Sequence, residues 1–114
     1  MELTSAHLRY LLAVYELSAE ASAISSTKIA VQLGVSRPSV TRMLGVLAQR
    51  QLVTKERYGK ISLTEEGTDV ACHYRRRIQT LKDRIPALGF RLSQEELYTA
   101  AEALAAALPE RCLG

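Results

Sequence analysis

The sequence contains no tryptophan and a single phenylalanine in 114 residues. Its apolar residues are mostly Leu, Ala, Val and Ile. At 47% hydrophobic and 24% charged, the composition is that of a globular chain, neither disordered nor membrane-like. There are two cysteines, Cys72 and Cys112, with no CxxC spacing. This excludes a disulfide framework and points to free thiols in a reducing compartment. No apolar run approaches the ~20 residues of a membrane span. The N-terminus lacks the basic-then-apolar pattern of a signal peptide, so the expected location is the cytoplasm and no membrane partner is expected. Paired carboxylates, a Ser-His-Asp set, a Gly-rich phosphate loop and a Cys-His nucleophile pair are all missing, so no enzyme is expected. The length fits one domain with a short helical extension, enough for a core but not for an elaborate active site.

Charge is concentrated in the middle of the sequence. The net charge is +3, but Arg37, Arg42, Arg50, Lys55, Arg57, Lys60, Arg75, Arg76, Arg77, Lys82 and Arg84 follow one another there. Acidic residues lie mainly towards the two ends, at Glu2, Glu16, Glu20 and from Glu95 to Glu110, with Glu65 and Glu66 between. A basic middle suits a polyanionic partner.

The periodicity predicts a mainly helical chain. A first helix opens at Thr4 or Ser5, with Leu8, Leu11, Leu12 and Tyr15 on its buried face. Ser18 to Ser26 reads as a loop. Thr27 caps a short second helix, Lys28 to Leu33, which Gly34 ends. Ser36 caps a third helix running to about Gln49, with Pro38 in its first turn and Val40, Met43, Leu44 and Leu47 buried. The period then changes: Leu52 to Arg57 and Lys60 to Leu63 read as two strands turning at Tyr58-Gly59. Thr64 caps a long fourth helix, whose stripe is Val70, Tyr74, Ile78, Leu81 and Ile85, and Glu65 and Glu66 suit its positive end. Pro86 and Gly89 end it. Ser93 and Glu96 form a capping box for a fifth helix with Leu97, Ala101, Leu104 and Leu108 along one side.

Lys28 to Leu44 is a helix-turn-helix pattern. Ala30 is small where the two helices touch, and Gly34 tolerates the left-handed turn between them. Ile29, Leu33, Val35, Val40 and Met43 hold the pair on the first helix. Such a pair places its second helix in the major groove of double-stranded DNA, N-terminal end first. Ser36, Arg37, Pro38, Ser39, Thr41 and Arg42 occupy that end. Hydroxyls can bond bases or phosphates, and arginine can fork onto guanine. Thr27 and Lys28 open the second helix beside them. Arg57 and Lys60 on the hairpin would reach neighbouring phosphates or the minor groove. The alternative is a winged helix used only for protein contacts; the basic, hydroxyl-rich exposed face favours DNA.

Tyr10-Leu-Leu-Ala-Val-Tyr15, Lys28-Ile-Ala, Leu33-Gly-Val-Ser36, Pro38-Ser-Val-Thr-Arg-Met-Leu44, Leu52-Val53, Tyr58-Gly-Lys-Ile-Ser-Leu-Thr64 and Gly67 together resemble the diphtheria toxin repressor and manganese transport regulator family. The resemblance spans residues 3 to 108. It implies a winged helix-turn-helix over residues 1–64 and a helical dimerisation region over residues 65–114, with Leu97, Ala101, Leu104 and Leu108 at the dimer interface. Family members are dimeric repressors activated by manganese or iron, held by acidic and His residues of the first, fourth and fifth helices. Members usually continue with further helices and some with a β-domain; the chain here stops sooner, which implies a smaller or rearranged interface.

The ligand positions depart from the family. The first-helix Asp and Glu fall at Arg9 and Leu12, the fourth-helix His at Ile78, and a carboxylate one turn later at Lys82. With Tyr98 setting the register, the fifth-helix cluster falls at Glu102, Ala105 and Ala106. One carboxylate among Leu, Ile and Ala does not make a site for a hard divalent ion. His7, His73 and Cys72 lie on the flanks of their helices, which suits surface histidines and a half-buried cysteine better than converging ligands. Two readings of Arg9 and Lys82 stand open: Arg9 pairs with Glu102 and holds the helices as a metal would, or both cations point to solvent.

The expected function is therefore a metal-independent, homodimeric transcription regulator. Its two-fold symmetry implies DNA half-sites about one helical turn, or a multiple, apart. The alternatives are a metal-responsive repressor with a non-standard manganese or iron site, and an interaction module that associates with a full-length relative.

Overall fold

The computed structural model describes residues 3–20, 24–56 and 59–109. It comprises α1 (Ser5–Glu20), α2 (Ser26–Leu33), α3 (Arg37–Gln49), a hairpin of β1 (Val53–Lys55) and β2 (Ile61–Leu63), α4 (Glu65–Arg84), a single 3-10 turn (Ile85–Leu88) and α5 (Gln94–Ala107). This is the winged helix-turn-helix followed by two helices that the sequence predicts.

Most helix ends are set by side-chain caps. Ser36 accepts from the Ser39 N–H, with Pro38 in the first turn of α3. Thr64 accepts from the Gly67 N–H at 2.9 Å. Ser93 and Glu96 form a complete capping box. Each satisfies backbone donors that the helix itself leaves open. The opening of α1 uses an unusual pair: the His7 N–H donates to Thr4 Oγ1 at 3.2 Å, and the Thr4 N–H donates to His7 Nδ1 at 3.1 Å. This is capping-box geometry with histidine in place of Glu or Gln.

Three boundaries differ from the sequence expectation. The first helix continues through Glu20 instead of ending near Ser18, because Ala and Glu there sustain a helix. Ser25, not Thr27, caps α2, accepting from the Lys28 N–H at 3.2 Å. Ile24, expected in a loop, is buried and forms a bridge with Ile61, whose N–H donates to the Ile24 carbonyl. The hairpin is antiparallel with Val53 opposite Leu63 and Lys55 opposite Ile61, so β1 is shorter than the Leu52–Arg57 strand expected. Arg57 and Tyr58 lie outside the described residues.

Two apolar clusters share α1. Leu11 and Val14 face one way, into a cluster with Ile29, Val40, Leu44, Leu47 and Ile61. Leu8 and Leu12 face the other way, joining Tyr74, Ile78, Ile85, Leu97, Ala101 and Ala105. The helix-turn-helix and wing thus close on one side of α1, and α4 and α5 on the other. Leu97 and Ala101 are buried within this chain, whereas Leu104 is 41% exposed. The apolar side read along α5 is therefore divided between an inner and an outer face.

Candidate nucleic-acid interface and the joint behind it

The turn between α2 and α3 needs a left-handed residue, and Gly34 provides it with φ 67° and ψ 36°. Its N–H donates to Ala30 and Val31 carbonyls, and the Val35 N–H donates to Ala30 at 3.1 Å. These bonds satisfy the end of α2 and fix the angle at which α3 leaves. Val40, Leu44 and Leu47 anchor α3 from beneath. Its opposite face, carrying Arg37, Pro38, Thr41 and Arg42, is exposed.

The residues singled out from sequence divide into two groups here. Ser36 and Ser39 are engaged with one another, Ser36 Oγ donating to Ser39 Oγ at 2.9 Å as well as capping the helix. Their first task is to shape the helix start. Arg37, Thr41 and Arg42 are exposed, as are Thr27 and Lys28 at the start of α2 and Lys60 on the wing. Because Ser25 takes the capping role, the Thr27 hydroxyl is not needed for it. Arg57 lies outside the described residues.

Behind this face, α1, α4 and α5 meet at a polar joint. Arg9 Nε lies 3.5 Å from Glu102 Oε1. Tyr98 precedes Glu102 by one turn of α5; burial, with the Glu102 and Glu16 charges, holds its phenol above its ordinary pKa. The buried Tyr74 hydroxyl donates to the Glu102 backbone carbonyl at 3.2 Å. Burial first, and the Glu102 charge second, keep Tyr74 protonated well above the ordinary tyrosine range. Lys82 Nζ sits 5.7 Å from the centre of the Tyr98 ring, within reach of a cation–π attraction. Arg77 caps the far end of α5, donating to the Leu108 and Pro109 carbonyls at 3.2 and 3.1 Å. The sequence singles out Arg9, Lys82 and Glu102 but not the roles of Tyr74 and Arg77, which depend on contacts 28 to 32 residues apart.

The arrangement is a winged helix-turn-helix DNA-binding domain backed by a helical pair. The family described as "Iron dependent repressor, N-terminal DNA binding domain" matches residues 2–61. The chain belongs to this iron-dependent repressor family, whose members are repressors of the diphtheria toxin repressor type. Among solved structures, the chain is similar to the manganese regulator SloR, with 27% identity and a TM-score of 0.77 over 96% of this chain and 50% of that one. It is similar to a manganese-dependent transcriptional repressor solved with manganese, with 26% identity and a TM-score of 0.72 over 93% of this chain and 48% of that one. Lactococcus lactis ZitR shares 27% identity with a TM-score of 0.63, over 94% of this chain and 73% of that one. The chain thus spans about half the length of SloR. No curated protein matches it in a sequence comparison.

The donor set at the joint does not fit the metal that the family's name implies. Glu102 is the one carboxylate at the expected ligand positions, and it already faces Arg9. Leu12 and Ile78 are buried and apolar, with no lone pair to offer. Among the described residues, no three His, Cys, Asp or Glu side chains converge. His73 is exposed and Cys72 half-buried, while His7 is turned to its own helix cap. Among the described residues, no helix is long and apolar enough to cross a membrane.

Proposed function

We propose that this protein is a cytoplasmic, homodimeric, sequence-specific transcription regulator that binds double-stranded DNA without a metal activator. The observation that carries the proposal is the Arg9–Glu102 pair. A guanidinium supplies positive charge between the first and last helices, where the family resemblance puts a cation. It ties α5 to α1, and α1 packs directly on α3. In this reading, residues 1–64 bind DNA and residues 65–114 dimerise. Arg37, Thr41 and Arg42 meet base edges. Lys28, Thr27, Arg57 and Lys60 meet the backbone, and Ser36, Pro38 and Ser39 set the helix start against a phosphate.

The dimer surface in this proposal is the outer face of the helical region. With Leu97 and Ala101 buried, Leu104 and Leu108 contribute from α5, alongside exposed Leu88 and Phe90. Exposed large apolar residues of this kind are typical of subunit contacts.

Fluorescence-anisotropy titration of DNA from upstream of the protein's own coding region tests the reading. Tight, salt-sensitive binding in EDTA, unchanged by manganese or iron(II), is expected. Binding only after metal addition would refute metal independence. Absence of specific binding in either condition would favour an interaction module that joins a full-length relative.

A further inference from the structure

Gly45 lies in the interior of α3, the recognition helix of the reading above. Glycine is the poorest helix-interior residue after proline, because the backbone gives up most freedom there and gains no side-chain contact. A glycine in such a place usually has a reason in the fold. Gly67 shows what one looks like: a Cβ there would collide with the Leu52 carbonyl oxygen. Gly45 has no such reason. A Cβ built on it meets no atom within 4 Å, and its backbone is ordinary helix. Alanine would fit without moving anything.

The position of Gly45 points outside the chain. Thr41 and Arg42 lie three and four residues after Pro38, Gly45 lies four and three after them, and Gln49 four further on, so all five share one face of α3. All of them are exposed, and Val40, Leu44 and Leu47 anchor the opposite face. The bare backbone therefore lies on the stripe that carries Thr41 and Arg42, one turn beyond them. A helix with its side chains is about 10–12 Å across, and the major groove is about 12 Å wide. Removing one side chain from the groove-facing stripe allows a closer seat than the helix would otherwise reach.

We propose that Gly45 is the point of closest approach between α3 and DNA, and that its missing side chain lets Thr41 and Arg42 reach base edges. The proposal rests on the DNA-binding function proposed above. It assigns Gly45 a positioning role whose helix cost is offset only when DNA is bound.

The test uses the full chain with Gly45→Ala and Gly45→Leu, and two readouts. Duplexes selected by the wild-type protein from a random-sequence pool serve as the DNA probe. Thermal unfolding without DNA is expected to shift upward by roughly 3–6 °C for Gly45→Ala, as restored helix propensity requires. Affinity for the selected duplexes is expected to fall by about tenfold, the scale of a lost base contact, and further for Gly45→Leu. Gly45→Ala binding as tightly as wild type overturns the proposal. A lower melting temperature for Gly45→Ala also overturns it, by revealing a role within the fold. If the wild-type protein enriches no sequence, the DNA-binding reading itself fails, and this is seen before any variant is made.

Discussion

Arg9 and Glu102 stand 93 positions apart in the chain and face each other at 3.5 Å, joining the first helix to the last. The pair is partly solvated, with side-chain exposures of 51% and 20%. Its direct contribution to folding stability is therefore small, about 0–1 kcal/mol. Its importance is geometric, because the Glu102 backbone carbonyl also receives the Tyr74 hydroxyl of α4. Arg9→Ala and Glu102→Gln are each expected to lower DNA affinity by about 2–5-fold. The charge-swapped double variant, Arg9→Glu with Glu102→Arg, should recover most of the loss. Unchanged affinity in both single variants would show that the joint does not govern DNA binding.

His7 confers a pH dependence on stability. Partial burial, and then the Arg50 charge, hold its pKa below the ordinary 6.5. The Thr4 N–H donates to His7 Nδ1, which can accept only while unprotonated. The unfolded chain binds this proton near 6.5 and the folded chain only at lower pH. Between those values the unfolded state holds more protons, so stability rises with pH. The contribution is complete above 6.5 and is lost as pH falls through the folded-state value. His7→Gln preserves an acceptor for the cap but cannot titrate. Urea midpoints at about pH 7.5 and about pH 5.5 should differ less in His7→Gln than in the wild type. Equal differences would remove His7 from the account.

Gly67 is required by a backbone crossing. The first turn of α4 passes so close to Leu52 that any Cβ meets its carbonyl oxygen. That oxygen accepts from the Thr64 N–H at 3.1 Å, so it is not free to move. Gly67→Ala should destabilise the fold by about 2–3 kcal/mol, the range for overpacking a rigid site. Chemical denaturation measures this directly; a loss below about 0.5 kcal/mol would mean the crossing relaxes easily.

Gln51 presents the opposite case. It is the one non-glycine residue at positive φ among the described residues, at 62°, and it is exposed. Its carbonyl accepts from Thr64 Oγ1 at 2.7 Å, which holds the turn between α3 and β1 in place. A left-handed non-glycine residue costs about 1–2 kcal/mol, less the extra chain entropy that glycine loses on folding. Gln51→Gly is expected to stabilise the protein by about 0.5–1 kcal/mol, read as a higher urea midpoint.

Much of this architecture was legible because its punctuation is local. Ser36 with Pro38, Thr64 with Glu65 and Glu66, and Ser93 with Glu96 each mark a helix start by chemistry confined to four residues. Local chemistry is degenerate at the start of α2. Ser25, Ser26 and Thr27 can each cap a helix, and only the bridge from Ile24 to Ile61 selects Ser25. In α5, alanine on nearly every side removes the contrast that periodicity needs. The inner stripe is Leu97, Ala101 and Ala105, and Leu104 faces out. At the joint, the family resemblance brings Arg9 and Glu102 to one place, but Tyr74 and Arg77 act across long separations that no local pattern encodes. The left-handed Gln51 is likewise imposed by the chain around it.

On the proposed DNA face, Arg42 and Lys60 are expected to divide base reading from positioning. Both are exposed, but Arg42 projects from α3 and Lys60 from the wing. A recognition-helix arginine discriminates bases, whereas a wing lysine neutralises phosphate. Arg42→Ala is therefore expected to cost about 1–3 kcal/mol on the preferred sequence and much less on random DNA. Lys60→Ala should weaken both alike and reduce the slope of log affinity against log salt by about one. Titrations at several salt concentrations, on preferred and random duplexes, give both quantities from one set of measurements. If Arg42→Ala instead weakened both duplexes equally and Lys60→Ala only the preferred one, α3 would not be the reading helix. The exposed stripe of Thr41, Arg42 and Gly45 would then need another explanation.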